Sequence, residues 1–337
     1  MSRSDGDWQA TCYVASVKLR TLGRTGIQVS GIGFGAWAIG GNMWGGARDD
    51  DARAALRRAR ERGINLVDTA LEYGDGHSEQ LVGEVAREGW KDLVIATKVP
   101  PRAMQWPAPV GAPIEDFFPP AWIRECCERS LRHLRVERID LLQLHVWADA
   151  WTDRDEWYET LTALRQQGKL RLIGVSINSH DPASAVRLAR SGRVDVLQVQ
   201  YNVFDQSPED QLLPACLEHG VGVLARVPFD ESALTGKLRA DTTFPPGDFR
   251  ASYFEGDLLA ETVARVDELR PILEPAAGSM ARGALRFCLS HPAVSAVIPG
   301  MRNVAQVDDN VGAIEGGVLP AKVLAALRPH RWVRDAY

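Results

Sequence analysis

Four side chains in this 337-residue chain form a set suited to moving a proton: Asp68, Tyr73, Lys98 and His145. A tyrosine hydroxyl has an ordinary pKa near ~10, but an adjacent ammonium stabilises its ionised form and lowers that value. Asp68 can hold Lys98 in place and keep it charged. A neutral His145 can donate a hydrogen bond to a carbonyl oxygen and orient it. Together they suit protonation of an oxygen as a hydride reaches its carbon. Each has a plainer reading alone: a turn aspartate, a strand-ending lysine, a core histidine. Only elements that bring all four to one place would make them a site.

Eight short runs rich in Val, Ile and Leu read as buried parallel strands, over 30–35, 64–68, 93–97, 139–144, 170–175, 194–199, 221–225 and 294–298. Helical patterns fall between them, over 49–62, 78–87, 121–134, 155–167, 182–190, 208–219, 260–273 and 304–314. Strict alternation without a dividing linker predicts a (β/α)8 TIM barrel, an α/β fold occupying residues 18–337 as one domain. Residues 1–17 show no period and read as a loose tail. Barrel enzymes place their chemistry at the C-terminal strand ends. Asp68 ends the second run, Lys98 follows the third, His145 follows the fourth, and Tyr73 lies in the loop after Asp68. Long connections over 99–120 and 226–256, after strands three and seven, are expected to shape the mouth.

Composition narrows the function classes. There are 39 basic and 44 acidic residues, a net charge of −5, which argues against nucleic acid as a partner. Cys12, Cys126, Cys127, Cys216 and Cys288 fit neither a zinc site nor a disulfide framework, and no metal-ligand spacing occurs among the histidines. No signal segment and no membrane-length apolar run is evident, so a reduced, cytoplasmic protein is expected. Gly33-x-Gly35-x-x-Ala38 fits a permissive dinucleotide fingerprint, but the glycine run from Gly40 to Gly46 cannot open the helix that a Rossmann unit requires.

The motifs themselves resemble the aldo-keto reductase superfamily. The resemblance runs through Leu22-Gly23-Arg24-Thr25-Gly26, Gly33-Phe34-Gly35-Ala36-Trp37, Asp68-Thr69-Ala70-Leu71-Glu72-Tyr73-Gly74 with Ser78-Glu79, Ala96-Thr97-Lys98 and Leu142-Gln143-Leu144-His145. It continues through Ile173-Gly174-Val175-Ser176, Leu234-Thr235-Gly236-Lys237 and Ile298-Pro299-Gly300-Met301-Arg302-Asn303, in order over about residues 18–315. It implies reversible NAD(P)H-dependent reduction of a small aldehyde or ketone. Tyr73 is then the general acid, Lys98 lowers its pKa, Asp68 pairs with Lys98, and His145 positions the carbonyl. By the same resemblance Ser176 and Gln198 bind the nicotinamide carboxamide, and Gly35, Ala36 and Trp37 line the first loop. Lys237 lies along the pyrophosphate, while Arg302, Gln306 and Asn310 surround the adenosine. Arg302 is the candidate for a 2′-phosphate, making NADPH the expected cofactor with NADH also open.

Two departures bear on the cofactor site. The family usually has Ser-Asn after the fifth strand, whereas Ser176-Ile177-Asn178 here leaves Asn178 either at the carboxamide or displaced from it. After the seventh strand an aromatic ring is usual, but Arg226 stands there. Its guanidinium either stacks on the nicotinamide, disfavouring the cationic oxidised form, or turns to an acid or to substrate. Trp44, Trp106, Trp147 and Trp151 fall near the rim and read either as an apolar substrate wall or as ordinary packing. His77 is a further candidate for touching substrate. Two other functions stay open on the same barrel: a sugar or polyol dehydrogenase working oxidatively, and a nicotinamide-binding regulatory subunit with slow turnover.

Overall fold

The computed structural model describes residues 18–41, 43–46 and 48–333. The expected tail over 1–17 lies outside the described residues. Strands β1 (Leu19–Thr21) and β2 (Gln28–Ser30) form an antiparallel hairpin. Eight parallel strands follow: β3 (Phe34–Gly35), β4 (Leu66–Asp68), β5 (Val94–Val99), β6 (Ile139–Leu144), β7 (Leu170–Ser176), β8 (Val196–Gln200), β9 (Gly222–Arg226) and β10 (Val294–Val297). They are ordered β10-β9-β8-β7-β6-β5-β4-β3. Bridges between Ile32 and Val297 and between Gly35 and Gly300 join the two edges, so the sheet closes as a (β/α)8 barrel. Closure needs Gly35 itself. A β-carbon there would lie 2.7 Å from the Ile298 carbonyl oxygen.

All eight expected strands are present, most with ends shifted by one or two residues; β5 runs on to Val99, so Lys98 lies within it, and the first strand starts only at Phe34. Ser30 belongs to the hairpin, and its backbone N–H donates to Asn65 Oδ1 at 2.6 Å rather than to a barrel strand. The sequence reading missed the hairpin because three-residue strands leave too little period to detect. Leu22, Ile27 and Val29 are buried against the inward residues Leu66, Val94, Leu141, Leu172, Val196 and Leu224, and so form the barrel floor. At the hairpin turn Gly23 has φ +53°, and a β-carbon would meet Gly222 N at 2.3 Å.

The expected helices appear at Asp49–Glu61, His77–Ala86, Pro120–Leu134, Glu156–Gln166, Val186–Arg190, Leu212–His219, Leu258–Ala277 and Val304–Gly312. Two start later than expected because Pro182 and Pro208 open 3₁₀ turns, at Pro182–Ala185 and Ser207–Glu209. The element between β9 and β10 also differs. Met280–Ser290, which the sequence reading omitted, packs on β10, and the longer helix Leu258–Ala277 lies against it. Ser279 caps Met280–Ser290 by accepting from Arg282 N–H. Close packing follows from Gly283, where a β-carbon would lie 3.0 Å from Leu273.

Candidate active site

Side chains alternate along a strand, so inward residues recur every two positions. In this barrel the deeper inward positions are apolar: Leu66, Ala96, Leu141, Val196 and Leu224. One step toward the C-terminal ends, the same faces carry Asp68, Lys98, Gln143, Gln198 and Arg226. A dry floor thus supports a polar layer.

Lys98 Nζ is fully buried and donates to Asp68 Oδ2 at 2.7 Å, to the Thr69 carbonyl at 2.8 Å and to Tyr73 Oη at 3.1 Å. Asp68 Oδ1 accepts from Gln198 Nε2 at 2.7 Å and Gln143 Nε2 at 3.3 Å. Both oxygens of that carboxylate are therefore hydrogen-bonded, as a buried charge requires. The Tyr73 and His145 rings meet edge to face, with centroids 5.9 Å apart. The four predicted residues converge at one rim.

Burial raises the Tyr73 pKa above the ordinary phenol value, and the neighbouring Asp68 charge adds to this; Lys98 and Arg226 pull the other way. The expected downward pull of Lys98 is present, but desolvation outweighs it. Tyr73 therefore holds its proton firmly. Burial works against the Lys98 charge, yet Asp68 and Tyr73 overcome it and raise the lysine's pKa. His145 is pushed well below its ordinary value by burial, with Lys98 and Arg226 adding to the effect, so the imidazole is neutral. Its Nδ1 is buried without a hydrogen-bond partner among the described residues.

The other predicted residues are placed as follows. Ser176 Oγ donates to Gln198 Oε1 at 3.4 Å, beside Asp68. Gly35 donates its N–H to the Pro299 carbonyl, and Ala36 donates to the Asp68 carbonyl. Trp37 packs 6.2 Å from the Tyr73 ring and 4.9 Å from Phe249. Lys237 is exposed, beyond the turn Ala233–Thr235. Arg302 Nη1 donates to the Trp44 carbonyl at 2.8 Å, and its backbone N–H donates to Gln306 Oε1 at 2.7 Å. Asn310 is buried in the helix Val304–Gly312.

Two open questions take definite form. Asn178 Oδ1 accepts from Ala108 N–H at 3.3 Å, and its Nδ2 donates to the Ala108 carbonyl at 3.5 Å. Asn178 thus bonds the backbone of the long loop over 99–120 from beyond the end of β7. Arg226 donates to the Ile177 carbonyl, Ser179 Oγ and Gln200 Oε1, at 3.2, 3.0 and 3.4 Å. No carboxylate among the described residues pairs with it.

Trp147 and Trp151 are buried, so they are packing, whereas Trp106 is 41% exposed with its ring 6.0 Å from His145. His77 bonds Asp49 Oδ1 at 2.9 Å. Burial lifts the Cys126 and Cys127 thiols to about 12, which leaves them inert. Sequence reasoning missed Gln143, although the two-residue alternation through Leu141 points it inward. It also missed the meeting of two loops, where Phe249 N–H donates to the Met43 carbonyl and Arg250 stacks 4.9 Å from the Trp44 ring. Among the described residues no three potential metal ligands converge, and no single helix is long and apolar enough to cross a membrane.

The model of the family described as "Aldo/keto reductase family" matches residues 31–331. The chain belongs to that family. It is 33% identical over 293 residues to the aldo-keto reductase YhdN of Bacillus subtilis, covering 86% of each protein. It is 29% identical to the NADH-specific methylglyoxal reductase of Escherichia coli, covering 87% of this chain and 92% of that one. The solved glycerol dehydrogenase AKR11B4 from Gluconobacter oxydans superposes with a TM-score of 0.77 at 34% identity, covering 93% and 94% of the two chains. Aldo-keto reductases act on carbonyl and alcohol groups with nicotinamide cofactors.

Proposed function

We propose that the protein reduces an aldehyde or ketone with NADPH, reversibly, using Tyr73 as general acid. The observation that carries this reading is Lys98 Nζ seated between Asp68 Oδ2 and Tyr73 Oη, at 2.7 and 3.1 Å. Tyr73 donates its phenolic proton to the substrate oxygen as the carbon is reduced. Its own ionised form is then stabilised by the Lys98 ammonium, which Asp68 keeps charged. Neutral His145 orients the carbonyl through a hydrogen bond without competing for the proton.

The donor set around the rim fits a nicotinamide dinucleotide. Ser176 and Gln198 supply amide and hydroxyl partners at the barrel centre; Gly35, Ala36 and Trp37 form one wall. Lys237, Arg302, Gln306 and Asn310 would hold its phosphate and adenosine end. Asn178 serves the loop at Ala108 instead of the carboxamide. When bound, the nicotinamide supplies the hydride. Arg226, with no acidic partner among the described residues, opposes a cationic ring and so favours the reduced cofactor and the reductive direction. The half-buried Arg302 supports NADPH over NADH, since its planar fork matches a phosphate.

The relatives' names give no common substrate. Exposed Trp106 beside His145 favours a carbonyl with a flat or apolar face. The experiment is a panel of carbonyls and alcohols with both cofactors, followed by nicotinamide absorbance. Faster carbonyl reduction with NADPH supports the reading; exclusive alcohol oxidation, or no turnover with bound cofactor, rejects it.

A further inference from the structure

Tyr73 and Lys98 stand on different elements, a loop and a strand, and something must fix one against the other. The helix His77–Ala86 begins directly after the Tyr73 loop, and its Ser78 N–H donates to the Tyr73 carbonyl at 3.2 Å. The next residue, Glu79, is fully buried. Its Oε1 accepts from Thr97 Oγ1 at 2.6 Å, and its Oε2 is 3.1 Å from His133 Nδ1. Thr97 precedes Lys98 on β5, and the two side chains point to opposite faces. The bond to Glu79 therefore grips the strand from behind, one residue from the ammonium. His133 also closes on the loop: Gly76 has φ +87°, and a β-carbon there would lie 2.0 Å from His133 Nδ1. A buried carboxylate is costly unless bonded, and this one spends its bonds joining the elements that carry the acid and its lysine.

We propose that Glu79, held by Thr97 and His133, is a positioning residue that fixes Tyr73 Oη against Lys98 Nζ. The inference rests on the proposed acid role of Tyr73. Thr97→Val removes the strand's bond to Glu79 with little change of shape, and Thr97→Ser restores it. Thr97→Ala replaces the valine variant if that one does not fold. These are compared with Tyr73→Phe in the full-length protein, using NADPH and the carbonyl reduced fastest in the panel. Expected for Thr97→Val is a fall in kcat of about ten- to a hundredfold, with KM and the NADPH Kd (read by fluorescence titration) changed by less than about twofold. Thr97→Ser is expected to recover most of the rate. Full kcat in Thr97→Val with an inactive Tyr73→Phe overturns the Glu79 role alone. An active Tyr73→Phe overturns the acid assignment beneath it. Equal losses of kcat, cofactor affinity and thermal stability in both Thr97 variants mark an ordinary core contact and also overturn the proposal.

Discussion

In the proposed mechanism Tyr73 and Lys98 divide a task that neither side chain performs in water. Burial makes the phenol hold its proton, and Lys98 would make the proton's departure tolerable once an oxygen is ready to take it. The sign of each shift predicts the pH profile of reduction. Tyr73, raised, stays protonated until above its ordinary value of about 10, and His145, depressed, stays neutral through the range near its ordinary value of about 6.5. The rate of reduction is thus expected to be flat from about pH 6 to about pH 9. A limb near pH 6.5 that disappears in His145→Asn contradicts a neutral histidine. At the far end of the site, Arg302→Ala is expected to weaken NADPH by about tenfold while changing NADH little, measured by fluorescence titration. Equal losses for both cofactors reject a phosphate role for Arg302.

Elements decide which of these residues can meet. The loop over 99–120 carries Trp106 to His145 and is pinned at Ala108 by both polar atoms of Asn178. Asn178→Ala is expected to raise KM for bulky carbonyls by about threefold or more with kcat retained, because it frees the loop without touching the acid. A loss of NADPH affinity instead places Asn178 at the cofactor. This bond pair shows what the sequence could and could not convey. Strand ends are legible, since short Val-, Ile- and Leu-rich runs end at or beside Asp68, Lys98 and His145 and so place them on one rim. Where Asn178, two residues past the end of β7, aims its amide is visible only in the tertiary structure. Gln143 was readable from alternation, whereas the Glu79–Thr97–His133 contacts join positions up to 54 apart through burial, which no local pattern encodes. Met280–Ser290, by contrast, was legible: Ser279 is a capping residue at its start, and its apolar positions carry a helical period.

At the scale of the whole molecule, the barrel is closed below by the hairpin and by seams that only glycine permits, and open above at the polar layer. The floor is a stability element remote from the chemistry. Leu22→Ala, at a fully buried floor position, is expected to cost about 2–5 kcal/mol in denaturant unfolding while kcat stays near wild type. A large fall in kcat without a change in unfolding contradicts that separation of roles. The central claim, that the assembled rim delivers its proton from Tyr73, is tested most directly by single turnover of Tyr73→Phe with NADPH already bound and its affinity measured separately. NADPH binding is expected to stay close to wild type, with carbonyl reduction slower by about 10²–10⁴-fold. Reduction by the phenylalanine variant at a rate near wild type contradicts it.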